Sequence, residues 1–213
     1  KNEDGDIDLI GVGSGFFING SGNIITNYHV ISACVEVMYG DEKLSVSTFD
    51  MQNDLAILKS KKSNKSFINI RNNKVLAGED VYVIGYPFGK DLSTSSKITR
   101  GIVTAIQGIG NDYSRFQIDA PIQPGNSGGP VLDGKGQLIG VAVSKADTDA
   151  FIEIYGVIPE NMNFAIKTSA LLNMLDAHDI KSNEALTMNV MSGSEIFAKN
   201  DPAVVYLECY GYQ

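Results

Sequence analysis

The sequence predicts an all-β protein in which two groups of short strands each close into a barrel. Three observations lead there. Glycine is frequent, at 22 of 213 residues, and Ile/Val runs recur between Gly/Asn/Asp turns, the pattern of strands joined by tight connections. The runs fall into two groups of similar size, one before residue 75 and one after residue 80. Closing each group on itself removes the sheet edges that an open arrangement would leave.

Composition narrows the class. The chain is long enough to bury a sizeable core, and 43% apolar with 20% charged residues is ordinary for a globular protein. Net charge is 17 − 25 = −8, which disfavours nucleic acid or an anionic membrane surface as partner. No apolar run is long enough to span a bilayer. No export signal is read, so either one has been removed or the protein is cytosolic. Cys34 and Cys209 fit neither a disulfide framework nor a zinc site, and both are expected as free thiols.

The elements follow in order. Residues 1–10 are acidic and polar and read as a loop. Gly13 to Ile18 is a strand, Asn19 to Asn23 a tight turn, and Ile24 to Thr26 the return strand of a hairpin, running on into Asn27-Tyr28-His29-Val30-Ile31. Val35 to Tyr39 and Leu44 to Thr48 form another pair, and Leu55 to Leu58 follows Asn53-Asp54. After a link over residues 66–78, the second group begins with Val81 to Gly85. Lys97 to Ile106 is a long strand with a bend expected at Gly101. Phe116 to Asp119, Leu138 to Ser144 and Asn163 to Ile166 complete this group. Ser169 then caps a helix with Leu171, Leu172 and Leu175 on its apolar face.

Chemistry concentrates in Pro124-Gly125-Asn126-Ser127-Gly128-Gly129-Pro130. Glycines admit backbone dihedrals that other residues resist, and the prolines fix φ at each end. A serine held in such a loop, with bare backbone N–H groups beside it, suits acyl transfer: a nucleophile next to donors for an oxyanion. Alone, the loop reads first as a glycine-rich turn between strands, and the rest of the chain decides. His29 is one of two histidines; the other, His178, lies in a late helical stretch and is read as a surface residue. Asp54 precedes an apolar strand that pulls it inward, where a buried carboxylate needs a partner such as the imidazole N–H of His29. His29 and Asp54 belong to the first group and Ser127 to the second, so a site made of all three lies between the barrels.

These stretches resemble the trypsin-like serine peptidases, in their HtrA/DegP-type branch. The matching residues are Gly13-Ser14-Gly15-Phe16, Thr26-Asn27-Tyr28-His29-Val30, Asn53-Asp54-Leu55-Ala56, Gly85-Tyr86-Pro87-Phe88-Gly89, Gly125-Asn126-Ser127-Gly128-Gly129-Pro130 and Asn163-Phe164-Ala165-Ile166. The order His, Asp, Ser is that of chymotrypsin. The resemblance implies two packed six-stranded antiparallel barrels of the chymotrypsin type with a short C-terminal helix. It implies a serine endopeptidase acting on protein or peptide substrates, with no metal or cofactor. Ser127 would attack the carbonyl, His29 would move the proton, and Asp54 would hold the imidazole. The backbone N–H groups of Gly125 and Ser127 would form the oxyanion hole, with Asn126 shaping the loop. The substrate pocket would come from Ile122, Gln123, Val143, Ser144, Asn163, Phe164 and Ala165. Pro121 stands where relatives that cleave after Arg or Lys carry an acid, so a small or medium apolar residue is expected before the scissile bond. A role in protein quality control or processing, an extracytoplasmic location and a homo-oligomer are further implications.

Two features depart from the family pattern. The PDZ domain that follows the peptidase part in many relatives is not read within residues 1–213 and would lie outside them. Residues 194–210 look like the helix and first strand that open such domains, yet they lie at the C-terminus. The expectation is a single peptidase domain over 1–213, with barrels at 1–75 and 78–166, a helix at 168–179 and the displaced helix and strand at 194–210. Pro202 to Leu207 then pairs beside Gly13 to Ile18, which leaves Gln213 close to Lys1. The rival readings are a catalytically silent binding module on the same fold and a secreted clan relative of other specificity.

Overall fold

A computed structural model describes residues 7–89, 94–143, 161–184 and 189–212. Its strands form two closed six-stranded antiparallel barrels, as the resemblance implies. The first contains β1 (Asp8–Phe17), β2 (Asn23–Thr26), β3 (Glu36–Tyr39), β4 (Glu42–Asp50), β5 (Leu55–Lys59) and β12 (Val204–Gly211). The second contains β6 (Asp80–Gly85), β7 (Lys97–Ala105), β8 (Arg115–Ile118), β9 (Pro130–Asp133), β10 (Leu138–Val143) and β11 (Asn163–Lys167). Helix α1 (Tyr28–Ile31) follows β2, α2 (Thr168–Ala177) follows β11, and α3 (Gly193–Asn200) precedes β12.

Several strands are apolar on both faces because each face has its own core to fill. In the first barrel, Phe17, Ile24, Leu44, Leu58, Val205 and Leu207 pack inward. Val81, Val83, Phe116, Ile118, Val131 and Ile139 fill the second. Their neighbours in sequence turn the other way, into a seam shared by the barrels: Phe16, Ile25 and Ile57 from one side, Ile84, Leu132 and Val141 from the other. Leu171 and Leu175 of α2 and Ile196 of α3 close that seam. Each such fully buried side chain contributes about 1.5–3 kcal/mol, so this seam holds the two halves of the site in register.

Strand β12 completes the first barrel. It lies between β1 and β3, with Ser14 opposite Tyr206 and Gly15 opposite Val205. The strand starts two residues later than the sequence reading has it, because Asp201–Ala203 first makes a 3-10 turn around Pro202. β1 starts at Asp8, inside the stretch read as a loop, because Asp8 pairs with Gly211 across β12. Lys1 and Gln213 lie outside the described residues.

Other expectations need correction. Cys34 and Cys209 are not free thiols; they form a disulfide, with Cα atoms 5.2 Å apart. The ladder brings them together, since Cys209 pairs with Val37 and Val35 N donates to Tyr210 O over 2.8 Å. The run Tyr28 to Ile31 is a helical turn rather than the end of β2. The irregularity expected at Gly101 lies between Val103 and Ala105. Ser169 sits inside α2, whose N-cap is Lys167; Met174 is buried there while Leu172 is half exposed. β9 is a strand that the sequence reading passes over: only four residues, opening on a proline directly after the glycine loop.

Candidate active site

His29 comes from α1 and Asp54 from the turn before β5, two elements of the first barrel joined through β2, where Thr26 pairs with Ala56. Asp54 adopts φ 55°, a conformation unusual for a residue with a side chain. Both carboxylate oxygens then meet His29. Oδ1 accepts the backbone N–H of His29 at 2.9 Å, and Oδ2 lies 2.8 Å from Nδ1. The Asp54 side chain is 14% exposed and that of His29 34%. The carboxylate therefore fixes the ring position and engages Nδ1, which leaves Nε2 outside the pair. Asn27 secures the pair from behind, donating its side-chain amide to Asp54 O at 3.0 Å.

The serine loop runs between β8 and β9, and Ser127 in it is 3% exposed. Asn126 N donates to Gln123 O and Gly129 N to Asn126 O, each at 2.9 Å, so the loop is closed by its own backbone. Phe88 N donates to Pro124 O at 2.7 Å, which orients the peptide carrying the Gly125 N–H. Gly125 (φ 97°) and Gly128 (φ 83°) both need glycine's freedom. A Cβ on Gly128 would collide with Ser14 O and the Thr26 hydroxyl, and one on Gly125 with Tyr86 O. This close approach lays the serine loop against the end of β2, directly before the histidine segment.

One residue that sequence reasoning quotes without a role lies at this junction. Ser14 of β1 is fully buried. It donates its N–H to Ser127 O at 2.8 Å and its hydroxyl to Gly125 O at 2.7 Å. Its own carbonyl accepts the Thr26 hydroxyl at 2.7 Å. The available signal is a hydroxyl residue between two glycines on an otherwise apolar strand.

The expected pocket residues are spread over several surroundings. Ile122 and Ala165 pack into the core of the second barrel, and Val143 into the shared seam. Phe164, opposite Val143 in the ladder, is 3% exposed. Asn163 donates its side-chain amide to Ala120 O at 2.9 Å, and Gln123 is exposed. Ser144 lies outside the described residues. His178 is exposed at the C-cap of α2, 3.0 Å from the Thr48 hydroxyl.

Comparison with known proteins follows the same lines. The family described as "Trypsin-like peptidase domain" matches residues 13–141. An uncharacterized protein, y4bJ, of Sinorhizobium fredii is 37% identical over 202 residues, which cover 92% of this chain and 32% of that protein. A "Probable periplasmic serine endoprotease DegP-like" of Pseudomonas putida is 36% identical over 139 residues, covering 61% of this chain and 28% of that protein. The chain thus spans a third or less of the length of these relatives. Among solved structures, the serine endoprotease from Yersinia pestis superposes with a TM-score of 0.64 at 29% identity, over 79% of this chain and 57% of that one.

Proposed function

Because the chain belongs to the trypsin-like peptidases, in their HtrA/DegP-type branch, we propose that it is a serine endopeptidase working through an acyl-enzyme. The observation that carries this reading is the His29–Asp54 pair, bound through both carboxylate oxygens, with the serine loop packed against the same segment.

In this reading Ser127 Oγ attacks the peptide carbonyl and His29 Nε2 takes its proton. Asp54 stabilises the imidazolium and keeps the tautomer that accepts at Nε2. The oxyanion meets the N–H groups of Gly125 and Ser127, preset by the loop rather than recruited during the reaction. Collapse expels the amine, which receives the proton from His29, and water then repeats the sequence on the ester. No metal or cofactor has a part in these steps.

The substrate pocket is assigned to the segment Ile122–Gln123, to Val143 and Ser144, and to Asn163, Phe164 and Ala165. Apolar walls and no acid at Pro121 favour a small or medium apolar side chain before the scissile bond. The location is proposed as extracytoplasmic: the P. putida relative is described as periplasmic, and a structural disulfide suits an oxidising compartment. Protein quality control or processing, within a homo-oligomer, is the matching role. Among the described residues no helix is long and apolar enough to cross a membrane.

Digestion of a peptide library, read by mass spectrometry, tests this function. Cleavage clustered after small apolar residues, absent from Ser127→Ala, is the expected result. Cleavage after basic residues would refute the pocket, and no cleavage at any substrate length the activity itself.

A further inference from the structure

The structure assigns to Ser14 a positioning role: from the first barrel it fixes the two peptides that flank the Ser127 N–H, and the segment that orients the Gly125 N–H. This rests on the reading of Ser127 as nucleophile and names what controls its loop. The N–H groups proposed to face the oxyanion belong to Gly125 and Ser127. Ser14 holds the carbonyls of those same two residues, Gly125 O by its hydroxyl at 2.7 Å and Ser127 O by its backbone N–H at 2.8 Å, which fixes the peptide planes on either side of the one carrying the Ser127 N–H.

The loop needs such a hold. Peptide planes beside glycine rotate at little cost, and Gly125 lies at φ 97° with no side chain to resist. Donors lower a barrier only if they are aimed before charge develops. A rotation of the peptide after Gly125 would break the bond from the Ser14 hydroxyl. That hydroxyl is also an acceptor, taking the N–H of Tyr86 at 3.0 Å, so it serves the segment that orients Pro124 as well. The Ser14 carbonyl is tied in turn to Thr26, three residues before His29. One buried residue therefore sets the nucleophile loop against the base segment. Alanine at this position would strand a buried acceptor at Gly125 and the N–H of Tyr86.

The test compares wild type, Ser14→Ala and Ser14→Cys. Active sites are titrated with a serine-directed phosphonate, turnover of a peptide ester is measured against pH, and amide exchange is followed in residues 124–128. For Ser14→Ala we expect kcat per titrated site to fall about tenfold to hundredfold. KM and the midpoint of the pH profile stay unchanged, since substrate contacts and the His29–Asp54 pair are untouched. The amides of Gly125, Asn126 and Ser127 exchange faster by about tenfold or more. Ser14→Cys, close in size but a weaker donor, falls between, and it decides the matter if Ser14→Ala does not fold. A merely structural role lowers the melting temperature and the number of titratable sites while kcat per site holds; that result, or unchanged exchange in the loop, overturns the assignment. A wild type that takes no label overturns the peptidase reading alone, and the exchange comparison still decides the role of Ser14.

Discussion

At the scale of single residues, the site depends on groups that allow no near-equivalent. Asp54 accepts from His29 twice; an amide in its place would present N–H to Nδ1 and favour the wrong tautomer. Asp54→Asn should lower kcat by about 10⁴-fold with the fold intact, as judged by turnover and far-UV circular dichroism. Gly128→Ala should lose about 2 kcal/mol or more in urea unfolding, since its Cβ meets Ser14 O and the Thr26 hydroxyl at φ 83°. Part of this scale was legible in the chain: the pairing of Asp54 with His29 was readable from their neighbours, and the Ser127 loop stood out by its glycines and prolines. The role of Ser14 was not, because four bonds to three separate segments leave only a hydroxyl between glycines as their local trace.

At the scale of elements, what the sequence hides is pairing across long separations. The strands of both barrels were legible from Ile/Val runs between turns. β9 was not, because Pro130-Val131-Leu132-Asp133 has no alternation to show and follows a loop that draws the eye to its serine. α1 is hard to separate from β2 because Tyr28-His29-Val30-Ile31 has the same composition as a strand end. The Cys34–Cys209 bridge spans 175 residues, and only the register of β12 on β3 makes it possible. It ties the turn after α1 to β12, so its loss should loosen the barrel that carries His29. Reduction, or Cys209→Ser, should cost about 2–5 kcal/mol, read as a shift of the urea midpoint with and without reductant. An unchanged midpoint would mean that the β12 ladder alone holds that edge.

At the scale of the whole molecule, the shared seam makes the two barrels one cooperative unit around the site. Ile196 of α3 is fully buried in that seam. Ile196→Ala should therefore cost about 2–5 kcal/mol in a single transition seen alike by tyrosine fluorescence and circular dichroism. Two transitions would show barrels that unfold separately. Tyr86 reports on the same region, stacked edge-on against Tyr206 with ring centres 5.4 Å apart. Burial holds its phenol above the ordinary tyrosine range, and the Asp201 carboxylate and then Tyr39 add to that. A raised value means the folded state keeps the proton longer than the unfolded chain. The stability this gives is complete below the ordinary value of about 10 and is lost as pH rises through the folded value. Tyr86→Phe should flatten the alkaline fall in stability, followed as urea midpoint against pH; an unchanged fall would place its cause elsewhere.

The central claim is that Ser127 is a nucleophile activated by His29. Intact-mass analysis after reaction with a serine-directed phosphonate, on wild type and Ser127→Ala, tests it most directly. The account predicts one adduct per wild-type chain, carried by the peptide containing residues 124–130 and formed faster at mildly basic than at mildly acidic pH, because the base must be neutral to accept the proton. It predicts no adduct on Ser127→Ala. An adduct that survives this substitution, or a rate that is flat from mildly acidic to mildly basic pH, would contradict it.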